Sequence, residues 1–447
     1  MTYHEALTYL DSLTNHEKKT DFDYKTSFQL ERMVSFASVF GDPHKSLKAI
    51  LIGGTKGKGS VASFINSILI ESGYKTGLYT SPHLFCFRER IRINGEAIDE
   101  ESVAKLIEEI KFRLEKEGKA RPTYFEAVTL AAFLYFKRNG ADFVVLEVGM
   151  GGRLDSTNIS KALVSVITPI SYDHQQHLGS ALGDIAFEKC GIIKENAVTI
   201  SSSQRKEAMD VIHRTCRRST SRLYTVGEDI HFEIFESTPE GQALRIITPR
   251  GEYPELRIKL PGNFQAENAA CAVAAAESLR ENGIFIDHSS IKKGLMKAKW
   301  PCRFQIAGKK PFIVLDGAQN AASASALKKA LKALLRYKRF FLVIGAMRDK
   351  DVDGICRELA GEADYAVAAK SASERACAPE IIRENILKYN SGIEVTAAFS
   401  SAAAVEECVK RAGQDDLIVV TGSLYVAAEA AAFLQGINSS AGVRGQV

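Results

Sequence analysis

The seven residues Gly54-Thr55-Lys56-Gly57-Lys58-Gly59-Ser60 constrain the fold more than any other feature of this chain, because of what flanks them. Residues 47–52, just before, read Leu-Lys-Ala-Ile-Leu-Ile, a run of strand length, and residues 60–72, just after, repeat apolar side chains at three- and four-residue spacing. A glycine-rich loop between strand and helix can wrap its backbone N–H groups around phosphate oxygens. The helix N-terminus adds partial positive charge, and Lys58 can reach the terminal phosphates. The pattern departs from G-x-x-x-x-G-K-[ST] in one place, since Gly59 separates Lys58 from Ser60. With a strand before and a helix after, the loop is predicted to hold phosphate rather than to be a plain turn.

The same alternation runs through most of the chain. Residues 143–148, 163–168, 312–315, 340–344 and 417–421 are short, rich in Val, Ile and Leu, and bounded by Gly or Asp, while 100–116, 125–138, 320–337 and 400–412 carry helical spacing. This order predicts an α/β fold with parallel sheets covered by helices: a P-loop ATPase-type domain followed by a smaller Rossmann-like α/β domain. Residues 230–260 alternate polar and apolar around Thr-Pro-Glu-Gly at 238–241, which predicts a small antiparallel insertion at an edge of the first domain. Trp300-Pro301 interrupts a helical pattern before a new strand–helix series. We therefore place the first domain at 1–298 and the second at 299–447, with a cleft between them suited to small molecules. The tail from Asn438 to Val447 reads as frayed.

Charge and cysteine usage narrow the class further. The net charge of +4 arises from 58 basic and 54 acidic residues dispersed along the chain, so no basic stripe points to nucleic acid. The eight cysteines form no C-x-x-C pair and suit free thiols in a reducing compartment. The N-terminal residues hold no apolar signal core, and no apolar run reaches the length of about 18 residues that a membrane span needs. A cytoplasmic protein acting on small molecules is expected, with no membrane partner.

Two further clusters carry chemistry. Glu147-Val-Gly-Met-Gly-Gly-Arg153-Leu154-Asp155-Ser156-Thr-Asn158 follows a buried strand, where an acid is poorly placed for packing but well placed to hold a metal at the mouth of the sheet. Its other reading is an acid that caps the turn. Ser171-Tyr172-Asp173-His174 follows another buried strand, and His174 either ligates a metal through a neutral imidazole nitrogen or satisfies a turn.

Taken together with Thr80-Ser81-Pro82-His83-Leu84, Arg88-Glu89-Arg90-Ile91, Phe125-Glu126, Glu188-Lys189-Cys190-Gly191-Ile192-Ile193-Lys194, Arg303-Phe304, Asp316-Gly317-Ala318-Gln319-Asn320 and Thr421-Gly422-Ser423-Leu424-Tyr425, these motifs stand in an informative order. The chain resembles the folylpolyglutamate and dihydrofolate synthases over nearly its whole length. That family belongs to the wider Mur ligase group, whose cell-wall members usually add an N-terminal domain for the uridine nucleotide; from the few residues that precede Gly54 in this sequence, no such domain is expected.

The resemblance implies a Mur-ligase-like ATP-binding domain and a C-terminal glutamate-ligase domain. It implies an ATP-dependent ligase that adds L-glutamate to dihydropteroate, reduced folates or both through an acyl phosphate, working as a monomer with two magnesium ions. By the same resemblance, Lys58 and the backbone of Gly54, Thr55, Lys56, Gly57, Gly59 and Ser60 cradle phosphate, and Asn268, Arg303 and Asp316 contact ATP. Ser81, Glu147 and His174 would bind magnesium, together with a carbamylated Lys189. Lys58, Glu147, His174 and Lys189 are the implied catalytic set. Gln319, Ser423 and Tyr425 fall on the glutamate side, and Thr123, Tyr124, Phe125, Glu126, Leu154, Asp155 and Ser156 on the pterin side. Three departures stand out: Lys56 where the family usually has Asn, Cys302 where it has Gly, and Gln319 where it has His. A neutral amide at 319 cannot become cationic. Two other readings stay open, a Mur-type amino-acid ligase on another carboxylate and a non-catalytic P-loop switch.

Overall fold

The computed structural model describes residues 1–18 and 22–436; the tail read as frayed lies outside the described residues. Strand Lys48–Gly53 sits inside an eight-stranded sheet, paired in parallel with Phe143–Glu147 on one side and Ala162–Ile167 on the other. Val198–Ser201 and Arg222–Thr225 extend the sheet beyond Ala162–Ile167, and Thr76–Tyr79 lies beyond Phe143–Glu147. A short antiparallel edge, Ile91–Ile93 and Glu96–Ala97, completes it.

Successive side chains of a strand point to opposite faces. Ala49 and Leu51 accordingly enter one core, with the helices Glu100–Lys116, Tyr124–Arg138 and Leu182–Cys190, while Ile50 and Ile52 enter another, with Lys58–Glu71, Asn263–Ser278 and His288–Lys297. Burial on both faces is why these strands read as unbroken apolar runs.

Residues 230–260 form a three-stranded antiparallel sheet, His231–Thr238, Gly241–Thr248 and Gly251–Ile258, with its first turn at the expected Thr238 to Gly241. It is a sheet of its own rather than an added strand of the large one. Leu244, Ile246, Leu256 and Ile258 join the core beneath Asn263–Ser278 and His288–Lys297.

The second sheet has six strands, in the order Gln305–Lys309, Phe312–Leu315, Leu417–Thr421, Phe340–Ile344, Tyr365–Ala369 and Glu394–Ala398. All pairings are parallel except the opening hairpin. Tyr365–Ala369 and Glu394–Ala398 were not read from the sequence as strands, nor were the four-residue strands Thr76–Tyr79, Val198–Ser201 and Arg222–Thr225. Runs such as Tyr-Ala-Val-Ala-Ala favour helix by intrinsic propensity, and only pairing with a neighbour makes them extended. No helix among the described residues is long and apolar enough to cross a membrane.

Helix His288–Lys297 packs so closely on Lys58–Glu71 that a Cβ added at Gly294 would lie 2.4 Å from the Cα of Ile68. Helix propensity alone would make Gly294→Ala stabilising by about 1 kcal/mol. Because the obstacle is backbone, the substitution is expected instead to destabilise the protein by about 1–3 kcal/mol, measured as a lower urea midpoint at unchanged slope.

Candidate active site between the two sheets

The loop after Lys48–Gly53 is shaped by what its glycines touch. Gly54 has φ 141° and Gly57, which begins helix Lys58–Glu71, has φ 86°, both in the region that favours glycine. A Cβ at Gly54 would lie 2.0 Å from Thr168 Oγ1, and one at Gly57 would lie 2.5 Å from Asn268 Oδ1. Asn268 is itself fixed, donating to Gln265 at 3.0 Å, and Gln265 donates to Ser60 Oγ at 3.3 Å.

The outer wall of the loop is residues 169–174. The carbonyl of Pro169 accepts from Thr55 N at 2.9 Å and from Lys56 N at 3.3 Å. Thr55 Oγ1 donates to Ser171 O and accepts from Ser171 N, each at 3.1 Å.

Cations converge here. Lys58 Nζ and Lys189 Nζ both donate to the carbonyl of Gly54, at 3.3 and 2.9 Å. Burial, reinforced by Lys58, lowers the Lys189 amine to about 7. Burial likewise lowers Lys56 to about 8, although its ammonium lies 3.2 Å from Asp173. The acids respond in the opposite sense. Glu147, buried at the end of its strand, accepts from Ser81 N at 3.3 Å, and burial raises its carboxyl above the usual range against the pull of Lys58 and Arg303. His174 takes a left-handed φ of 52°, and burial, reinforced by Lys350, pushes its imidazole down to about 3, so it is neutral at ordinary pH.

The second sheet supplies Asp316 at the end of Phe312–Leu315, accepting from Phe304 N at 2.8 Å and Ala318 N at 2.9 Å. Burial raises its carboxyl, with Arg303 opposing. Cys302, in the place of the family's usual glycine, has φ 55°, a conformation a glycine adopts more readily.

A cavity of about 360 Å³ lies between the two sheets and is lined by Ser81, Phe125, Asp155, His174, Gln319 and Tyr425 among others. Other expected residues do not line it. Thr123 and Glu126 form a reciprocal cap on helix Tyr124–Arg138, and Glu126 also pairs with Arg32 at 2.7 Å. Tyr124 faces Arg90, whose guanidinium lies 5.3 Å from the ring centroid. Ser423 is buried and caps helix Leu424–Leu434. Leu154 and Ser156 lie beside Asp155, behind the cavity wall, and Asp155 itself is occupied by the N–H groups of Gly149, Met150 and Thr157 at 3.0–3.2 Å.

Sequence reasoning missed Lys350 and Arg375, which line the cavity from the second sheet. Lys350 lies 2.9 Å from Asp173. Arg375 pairs with Asp349 at 2.5 Å and donates to the carbonyl of Glu17, whose carboxylate holds the buried Arg90 at 2.6 Å. One signal was present: Asp349-Lys350-Asp351 stands shortly after an apolar strand, as Asp173 does.

No group of three or more His, Cys, Asp or Glu among the described residues forms a ready-made metal site. Magnesium carried with nucleotide phosphates takes one or two carboxylates and keeps phosphate and water oxygens as its other ligands. The buried Glu147 carboxyl, the neutral His174 and Ser81 fit such a sparse donor set.

The loop geometry predicts that Gly54→Ala will lower nucleotide affinity by at least about tenfold, because the strained, obstructed Cβ forces the loop away from Thr168. Isothermal titration with ADP measures it, and unchanged affinity would show that the loop tolerates the shift.

Residues 52–276 match the model of the Mur ligase middle domain, and residues 302–424 that of the Mur ligase glutamate ligase domain. The dihydrofolate synthase/folylpolyglutamate synthase of Bacillus subtilis is 33% identical over 402 residues, covering 89% of this chain and 92% of that protein. The solved folylpolyglutamate synthase of Thermotoga maritima is 32% identical with a TM-score of 0.82, covering 98% of this chain and 97% of its own. The Escherichia coli FolC protein in complex with DHPP and ADP is 30% identical with a TM-score of 0.86, covering 98% and 99%. With its glycine loop, its second parallel sheet and this likeness along nearly its whole length, the chain belongs to the folylpolyglutamate and dihydrofolate synthase family of Mur-type ligases and is an ATP-dependent ligase.

Proposed function

We propose that this ligase joins the amine of L-glutamate to the carboxylate of dihydropteroate, of a reduced folate, or of both. The observation that carries the reading is the arrangement of one cavity. It has Phe125 and Asp155 on one wall and Gln319 and Tyr425 on the other. Its residues Tyr172, Asp173 and His174 belong to the segment that walls the Gly54 loop, where Lys58 and, from helix Leu182–Cys190, Lys189 meet the Gly54 carbonyl. Relatives solved with ADP and with AMPPCP support the loop as the nucleotide site. We divide the chain at 298/299 into a nucleotide domain and a glutamate domain, and take it to act as a cytoplasmic monomer on small molecules, without nucleic acid or membrane.

A carboxylate is a poor electrophile. In the first step its oxygen attacks the γ-phosphorus of ATP, the bond to the β-phosphate oxygen breaks, and ADP leaves an acyl phosphate behind. Lys58 and the loop amides hold the phosphates and offset their charge. Asn268, which packs on Gly57, bounds the nucleotide from the loop side, and Arg303 and Asp316 bound it from the second domain. Ser81, Glu147 and His174, with carbamylated Lys189, would hold Mg2+, which when bound adds charge compensation for phosphoryl transfer. In the second step the glutamate amine attacks the acyl carbon, phosphate departs, and the nitrogen loses a proton. Gln319 and Tyr425 orient the glutamate by hydrogen bonds, with Ser423 fixing the helix that carries Tyr425. Phe125 offers an aromatic face to the pterin, while Thr123, Tyr124, Glu126, Leu154 and Ser156 hold that wall in place.

Product masses test the reading: ATP, magnesium and glutamate are supplied with dihydropteroate or with tetrahydrofolate, and a gain of one glutamyl residue is expected in at least one. Amide formation on a different carboxylate alone would favour another Mur-type ligase. Lys58→Ala and Glu147→Ala should each lower turnover by about 10²–10³ with circular dichroism unchanged.

The carbamate at Lys189 needs a neutral amine, whose lone pair bonds to the carbon of CO2 while the nitrogen gives up a proton. With the amine at about 7, protonation below that pH blocks the reaction, so activity should plateau above it and fall below. A carbamate resonance with ¹³C-bicarbonate should fade in parallel, and be missing from Lys189→Ala. A flat pH profile without that resonance would remove the modification.

A further inference from the structure

Few contacts carry charge from the second domain to the nucleotide loop, and one is buried. Lys350 extends from the segment after strand Phe340–Ile344 and places Nζ 2.9 Å from Asp173 Oδ1, with the two side chains 8% and 10% exposed. The other oxygen of Asp173 lies 3.2 Å from Lys56, inside the glycine loop. The same carboxylate accepts from the N–H of His174 at 3.0 Å. Residues 169–174 therefore bind the glycine loop at Thr55 and Lys56 on one side and the second domain at Lys350 on the other.

Trp300 also reaches this loop, its ring packing on Gly59, but that contact carries no charge. Lys309–Glu240 is an exposed pair of the kind that contributes little. Arg375 meets the carbonyl of Glu17, which is not part of the phosphate loop or its wall.

We propose that Lys350 is a positioning residue that couples seating of the second domain to the phosphoryl site, by fixing Asp173 and through it the wall of residues 169–174 that carries His174. The inference rests on the ligase reading above and deepens it. When the domains are seated, the acyl phosphate forms where the glutamate amine can reach it and water cannot. Without the ammonium, Asp173 loses its partner from the second domain, and the unseated arrangement gains population. In that arrangement water attacks the acyl carbon, the bond to the phosphate oxygen breaks, and the carboxylate is regenerated with phosphate released. ATP is then consumed with no amide formed.

The experiment compares Lys350→Ala, Lys350→Met and Lys350→Arg with wild type, measuring amide and phosphate in the same reaction. The Ala and Met variants should lower the amide-to-phosphate ratio by roughly threefold or more while the KM for ATP stays within about twofold, and Arg should restore most of the ratio. Met keeps the apolar stem, so a fold defect confined to Ala does not end the test. Amide and phosphate falling in proportion would overturn the proposal, since a general structural defect lowers both alike. Small-angle scattering of the protein with a non-hydrolysable ATP analogue gives a readout independent of substrate. The Met variant should show a larger radius of gyration than wild type, and an unchanged radius would overturn the seating role even if the ligase reading failed with every pteroate and folate.

Discussion

Parallel pairing of Lys48–Gly53 between two buried neighbours is the constraint from which the site follows. Strands covered on both faces hold few polar side chains along their length, and those are tied up in hydrogen bonds as Ser165 and Thr199 are, so the chemistry collects where the strands end. Thr76–Tyr79 is followed by Ser81, Lys48–Gly53 by the glycine loop, and Ala162–Ile167 by the wall carrying Asp173 and His174, while Phe143–Glu147 ends on Glu147 itself. The second sheet repeats the arrangement, with Asp316 and Gln319 after Phe312–Leu315, Lys350 after Phe340–Ile344, Arg375 after Tyr365–Ala369 and Tyr425 after Leu417–Thr421. One cavity collects residues from these carboxyl ends of both sheets.

The electrostatics of that meeting place favour a polyanion. Burial weakens the lysines of the loop region, Lys56 and Lys189, and weakens the ionisation of Glu147 and Asp316 as well. Groups of both signs are displaced toward neutrality because burial penalises their charged forms. A triphosphate with its cation would bring charge of both signs to them. Asp173 differs: burial works against its ionisation, but Lys56 and Lys350 outweigh it and hold the carboxyl well below the usual range. It is already satisfied by protein cations, which suits a structural tie rather than an open ligand position.

Several residues of the resembling motifs serve local structure first. Glu126 completes a capping box and binds Arg32, Ser423 caps the last described helix, and Asp155 holds the glycine turn that follows Glu147. A motif records that a residue type is required at a position, not whether a ligand or a helix end requires it. Cys302 shows the converse: its φ of 55° explains why glycine suits that position, a reason invisible in the bare pattern.

The sequence by itself determined what depends on near neighbours. The glycine loop between strand and helix, the apolar runs buried on two faces, the hairpin at 238–241 and the placing of Glu147 at a strand end all follow from local spacing and propensity. Tertiary structure alone decided the rest. Alanine-rich segments such as Tyr365–Ala369 became strands because a sheet edge was there to pair with them. Lys350 reached Asp173, 177 positions away in the chain, because two separate sheets turn residues beyond their carboxyl ends toward one cavity. Periodicity reports the environment of an element, whereas the partner of a charged side chain is set by how elements pack, and no local pattern encodes that.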